Sequence, residues 1–231
     1  MQAEVILTGI GGQGVQLCAK ALAMAAVAEG REALLSSHYG GEMRGGQTEA
    51  SVVVADAGLR SLPILPSTWS AFVMHPAHWA PVAAKLRPGG VVVANADLVA
   101  GELLALDGVG NDLVGNDLVG NDLVGNDLVG NDLVGNDLVG DDGATSGCAR
   151  VLVAAESIAG ELGAPMAAGF VLLGAYASAT GMVGTASLVA AMRDLVPPYR
   201  AQHVEANERA IVAGAAAVAP GSHPVWTAVT A

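Results

Sequence analysis

The apolar run Val5-Ile6-Leu7 is followed by Gly9-Ile10-Gly11-Gly12-Gln13-Gly14, and that turn leads directly into an alanine-rich stretch, residues 15–28. A strand, a glycine-rich turn and a helix in this order commit the chain to an α/β layout from its first residues. Such a turn lets backbone come close to a bound group, and it aims the unpaired N–H groups and positive end of the helix at that group. The rest of the sequence keeps the alternation. Strands are expected at 33–36, 48–55, 71–74, 91–94 and 150–154, and helices at 77–86, 156–162, 166–180, 185–195 and 201–213. The strands show no polar alternation, which fits a parallel sheet covered on both faces.

These elements predict a three-layer, doubly wound α/β fold with a mostly parallel sheet of flavodoxin or Rossmann type. Hydrophobic residues make up 52% of the chain but aromatics only 3%, so the core must be built from Ala, Val and Leu with close helix-to-sheet packing. One segment breaks the pattern. Residues 110–139 are six uninterrupted copies of Gly-Asn-Asp-Leu-Val. On a helix a five-residue period turns each leucine about 140° from the last, and on a strand it throws successive leucines to opposite faces. The run reads as a flexible or loosely turned surface insertion, with a stub of β-helix and an ion-binding element as the alternatives. The expected organisation is one discontinuous α/β domain, 1–106 and 148–218, an acidic insertion over 107–147, and a tail over 219–231.

The charge supports that division. Of the formal net charge of −12, nine aspartates between 107 and 147 account for nine units, and no Lys or Arg lies among them. The remaining −3 leaves no basic face for nucleic acid. No apolar run reaches the roughly 18 residues that span a bilayer, so membrane insertion is not expected. The start, Met1-Gln2-Ala3-Glu4, lacks the basic opening of a signal peptide, and the cytoplasm is the expected compartment. Cys18 and Cys148 form no C-x-x-C spacing, so a disulfide scaffold, structural zinc and a cysteine-held cluster are all unsupported.

Two clusters could carry function. Gly9, Gly11 and Gly14 satisfy G-x-G-x-x-G, but no acidic residue stands at the end of the second strand to hold a ribose, which argues against a nicotinamide site. An anion or phosphate site and a simple packing turn stay open. Gln13 is unusual there, because its amide can donate and accept in a way that packing alone does not require. The second cluster, His38-Tyr39-Gly40-Gly41-Glu42-Met43-Arg44-Gly45-Gly46, is a shaped loop at a strand's carboxyl end, where open parallel sheets bind ligands and partners. Arg44 beside Glu42 suits a carboxylate, a phosphate or an interchain ion pair; the two also suit each other. His75 and His78 stand three apart without further zinc ligands.

Together, G-I-G-G-Q-G and Y-G-G-E-M-R-G-G resemble the gamma subunit of 2-oxoacid:ferredoxin oxidoreductases. The resemblance continues in V-L-V-A-A-E-S-I-A-G-E-L-G (151–163), F-V-L-L-G-A (170–175) and H-V-E-A-N-E-R-A-I-V-A-G (203–214). Gly41 stands where the family often has proline, and Gly169 where it often has asparagine. The resemblance implies a subunit of a complex that oxidatively decarboxylates a 2-oxoacid, with acyl-CoA as the product. Thiamine diphosphate, magnesium, iron–sulfur clusters and coenzyme A would then belong to the complex, held mainly by alpha-, beta- and delta-type chains. Electrons would leave through those chains to ferredoxin or another acceptor. This chain alone would bind no cofactor, hold no metal, supply no catalytic group and be inactive. Gly9, Gly11, Gly12, Gln13, Gly14, Tyr39, Glu42, Arg44, Gly45 and Gly46 match the motif, as cofactor-binding or subunit-interface residues. A stand-alone nucleotide- or phosphate-binding module is the alternative.

Overall fold

The computed structural model describes residues 1–39, 45–60, 62–99 and 147–226; the repeat, Glu42 and Arg44 lie outside these residues. The described elements begin with β1 (Gln2–Ile10), α1 (Val15–Ala28), β2 (Glu32–Tyr39), β3 (Gln47–Ala55) and β4 (Thr68–Val73). A short α2 (Ala80–Ala83) leads to β5 (Leu86–Asn95), and after residue 147 come β6 (Ala149–Val153) and α3 (Ala155–Glu161). The helices α4 (Ala168–Thr180), α5 (Thr185–Leu195) and α6 (Val204–Ala216) follow. Six strands form one sheet in the order β2-β3-β1-β4-β5-β6. This is a doubly wound α/β sheet, as the sequence predicts, but a mixed one.

The pairings β1–β4, β4–β5 and β5–β6 are parallel, whereas β3 runs antiparallel to both β1 and β2. Only seven residues, 40–46, join β2 to β3, and a connection that short between paired strands requires an antiparallel hairpin. The sequence conceals this because β3 lies inside the sheet. Six consecutive residues, 50–55, are buried, so an antiparallel strand reads like a parallel one. The helix expected over 77–86 is also corrected. A 3-10 turn at Pro76–His78 and the four-residue α2 replace it, and Leu86 already opens β5. Pro76 and Pro81 fit only in first turns, and Pro88-Gly89-Gly90 cannot continue a helix.

One face of the sheet lies under α1, α4, α5 and α6, and its core joins Val5, Leu7, Val52, Phe72 and Val93 to Leu22, Leu172, Tyr176 and Ile211. The other carries a smaller cluster, in which Ile6, Val53, Val73 and Val92 meet Leu65, Trp79, Val82 and Val99. The centre of the first face is α4, buried at every residue but Ser178. It crosses α6 with its backbone in contact. A Cβ at Gly174 would strike the carbonyl of Ile211, and a Cβ at Gly214 would strike that of Val171. Small residues at the crossing let the two helices close to backbone distance, and dispersion among the flanking side chains strengthens accordingly.

The segment after α6 folds back on this face. The amides of Gly221, His223 and Val225 donate to the carbonyls of Ser178, Ala179 and Thr180 at 2.8, 2.9 and 2.8 Å. Trp226 donates its indole N–H to Met182 O at 3.2 Å and lies under the Arg31 guanidinium, 4.6 Å from the ring centre. Arg31 also reaches Glu29 at 2.6 Å and Asp56 at 3.3 Å. Among the described residues, no helix is long and apolar enough to cross a membrane.

Candidate functional site

Strand register brings the two glycine clusters together. Tyr39 pairs with Thr48, and Thr48 pairs with Gly9, so the ends of β2 and β1 and the start of β3 lie together on one edge of the sheet. Gly11 N–H donates to Gly46 O at 2.8 Å, which links the first turn directly to the end of the second cluster. A Cβ on Gly11 would lie 3.3 Å from Gly45 N, tight enough to push the clusters apart. Gly12 takes φ 106° and Gly14 φ 76°, a region that costs an L-residue about 1–2 kcal/mol. Gly14 is the N-cap of α1. Gly11, Gly12, Gly14 and Gly45 are exposed; Gly9 and Gly46 are buried beneath them.

The turn uses up much of its own hydrogen-bonding capacity. Ile10 N–H donates to the Gln13 side-chain oxygen at 3.0 Å, and Gln13 N–H donates back to Ile10 O at 3.2 Å. The Gln13 amide therefore braces the turn. With the donors of Ile10, Gly11 and Gln13 all engaged within the fold, the turn offers an anion fewer N–H groups than an open phosphate cradle does. Of the second cluster, Tyr39 is placed by its backbone alone, and Glu42 and Arg44 lie outside the described residues.

Beside the turn lies a cavity of about 210 Å³ lined by Gly12, Gln13, Met74, Glu156, Met166 and Gly169, among others. Gly169 packs on the turn itself: a Cβ there would come within 2.8 Å of Gln13 O and 3.2 Å of Cys18 Sγ. A larger groove of about 430 Å³, between α1, β2 and α5, lies away from the turn and has a mostly apolar lining. Cys18, enclosed beneath α1, has its thiol pKa pushed up to about 12 by burial, which leaves it inert as a nucleophile.

Several residues that position this edge carry no motif. Gln16, in the first turn of α1, donates its side-chain N–H to Glu49 O at 2.7 Å and reaches His38 O at 3.5 Å. Asp97, just past β5, accepts from the amides of Glu156 and Ser157 at 2.7 and 3.0 Å and from the Ser157 hydroxyl at 2.7 Å. The N-terminus of α3 is thereby capped from a distant segment. An Asx residue three positions past a predicted strand is a signal for such a cap; nothing in the local sequence marks Gln16. His75 caps its own 3-10 turn, with Nδ1 accepting from Ala77 N–H at 3.1 Å. Among the described residues, no three His, Cys, Asp or Glu side chains group closely enough to hold a metal ion.

Fold and edge together define a doubly wound α/β domain whose two glycine motifs share one side. A model of the pyruvate ferredoxin/flavodoxin oxidoreductase family matches residues 4–217, and the chain belongs to that family. It is 31% identical over 101 residues to the 2-oxoglutarate synthase subunit KorC of Methanocaldococcus jannaschii, a match covering 43% of this chain and 54%, about half, of that relative. Its fold is similar to that of the gamma subunit of a keto/oxoacid ferredoxin oxidoreductase from Geobacter sulfurreducens, with a TM-score of 0.63 at 22% identity over 93% of this chain and 97% of the other. The pyruvate oxidoreductase subunit PORC of Thermotoga maritima gives 0.64 at 18% identity, over 93% and 96%. The 2-oxoglutarate:ferredoxin oxidoreductase of Magnetococcus marinus gives 0.65 at 15% identity, over 94% of this chain but only 31% of that one.

Proposed function

We propose that this chain is the gamma subunit of a thiamine-diphosphate-dependent 2-oxoacid:acceptor oxidoreductase, acting as a docking subunit beside the catalytic chain. The observation that carries the reading is the convergence of both glycine motifs on one exposed edge, joined by the Gly11–Gly46 hydrogen bond. Family membership supports the same reading. Around the first turn the edge is built largely from glycine backbone, which suits close approach by another polypeptide. Gly9, Gly11, Gly12, Gln13, Gly14, Tyr39, Glu42, Arg44, Gly45 and Gly46 are its proposed contact residues.

The donor chemistry of the described residues suits neither magnesium nor an iron–sulfur cluster, so we assign thiamine diphosphate, magnesium, the clusters and coenzyme A to alpha-, beta- and delta-type partner chains. In this account the complex decarboxylates a 2-oxoacid to an acyl-CoA and passes electrons through those partners to ferredoxin or another acceptor. It works in the cytoplasm. Segment 107–147 is an insertion into a single domain that contributes little to assembly.

The test is reconstitution. The purified chain should show no 2-oxoacid-dependent dye reduction, and adding the remaining subunits should form a complex that does. Turnover by the chain alone contradicts the reading. Stoichiometric binding of ATP or inorganic phosphate by the lone chain, with no uptake into a complex, favours a nucleotide- or phosphate-binding module instead.

A further inference from the structure

We propose that Gln16 is the positioning residue of the docking edge, holding the β2–β3 hairpin to the helix that follows the glycine turn. The inference rests on reading that edge as the surface that meets the catalytic chain. The hairpin is joined to the turn by a backbone bond, Gly11 N–H to Gly46 O at 2.8 Å. Three residues further along the chain, in β3, the Gln16 carboxamide adds a second bond. Its N–H donates to Glu49 O at 2.7 Å, and His38 O on β2 stands 3.5 Å away. One side chain of α1 thus addresses carbonyls on both hairpin strands. Its other polar atom is equally telling: Gln16 Oε1 is buried and finds no hydrogen-bond partner among the described residues.

A buried carbonyl oxygen without a partner is costly, and a Leu or Met at this helical position would avoid that cost. What the glutamine supplies instead is a fixed distance between α1 and the ends of β2 and β3. Glycine-rich backbone loses more conformational freedom on ordering than any other, and part of that loss falls on the docking step unless the edge is held beforehand. Gln16 does that holding. It leaves the chemistry of the contact surface to its neighbours.

Full-length Gln16→Met and Gln16→Glu chains test this by two readouts. Methionine keeps length and helix propensity but removes the donor; glutamate sets an anion against two carbonyls. In the isolated chain, exchange of the Gly11 amide and of the amides of 47–49 should accelerate about tenfold for Gln16→Met, while amides of 52–54 stay as in the wild type. Affinity for the purified remaining subunits should fall by a similar factor, and more for Gln16→Glu, with turnover of the saturated complex unchanged. Unchanged exchange at Gly11, or acceleration spread evenly over the sheet, overturns the positioning role. Affinity equal to wild type despite a loosened edge overturns its link to docking. A wild-type chain that does not bind the remaining subunits sinks the docking reading itself, and the exchange pattern still decides what Gln16 holds.

Discussion

The helix-covered face and the glycine edge of this domain are built on opposite rules. On the face, side chains do the work. Tyr176 is fully buried, its hydroxyl is 2.8 Å from Ser70 Oγ, and burial pushes its pKa well above the usual tyrosine range. The helices α4 and α6 approach so closely that Gly174 and Gly214 leave no space for a methyl group. On the edge, backbone does the work. Gly11, Gly12, Gly14 and Gly45 are exposed, the bonds run between main-chain groups and two amide side chains, and a Cβ at Gly12 would meet nothing within 4 Å. Substitutions on the face should therefore act on folding, and substitutions at the edge on assembly.

The largest expected effect falls on the face. Gly214→Ala or Gly174→Ala forces a methyl into a carbonyl of the crossing helix, at a cost of about 3 kcal/mol or more. Melting should drop by about 10 °C, and valine at either position should leave no folded chain. An alanine variant that melts like the wild type would show that the crossing is not in contact. Next comes Gly12→Ala at the edge. It pays about 1–2 kcal/mol for its backbone angle and meets no steric conflict, so melting should fall by only a few degrees. Affinity for the other subunits should fall by more than that loss of stability explains; equal losses would erase the distinction between face and edge.

Tyr176→Phe is smaller again. Ser70 keeps its own bond to Glu4 O at 3.0 Å, so the variant should lose about 1 kcal/mol with assembly intact. An assembly defect there would mean that the face reaches the partner. The smallest effect is chemical. With its thiol pKa pushed up to about 12, Cys18 should stay unmodified by a thiol reagent at pH 8 until denaturant is added. Labelling in the native state would mean that α1 opens.

Much of this was legible in the sequence, for reasons that can be traced. The α1 bounds, 15 and 28, are plain in the sequence because glycines stand on both sides of a uniform alanine-rich run. The meeting of the two glycine clusters is not in the sequence reading; its geometric cause is the Tyr39–Thr48–Gly9 row, and no local pattern encodes it. The hairpin hid because a strand enclosed on both faces loses the alternation that marks antiparallel pairing. Gln16 and Asp97 hid because their partners lie 33 and 59 or more positions away. Gln13 drew notice for its chemistry, and its oxygen serves the amide of Ile10, three residues back.

One comparison of amide exchange tests the central claim, that this chain presents its glycine edge to a catalytic partner. Exchange would be measured on the free chain and on the chain assembled with its remaining subunits. Slowed exchange concentrated at residues 9–14 and 45–49, with α4 and α6 unchanged, is the expected result. Slowing confined to the helices, with the glycine turn exchanging as freely as before, would contradict it.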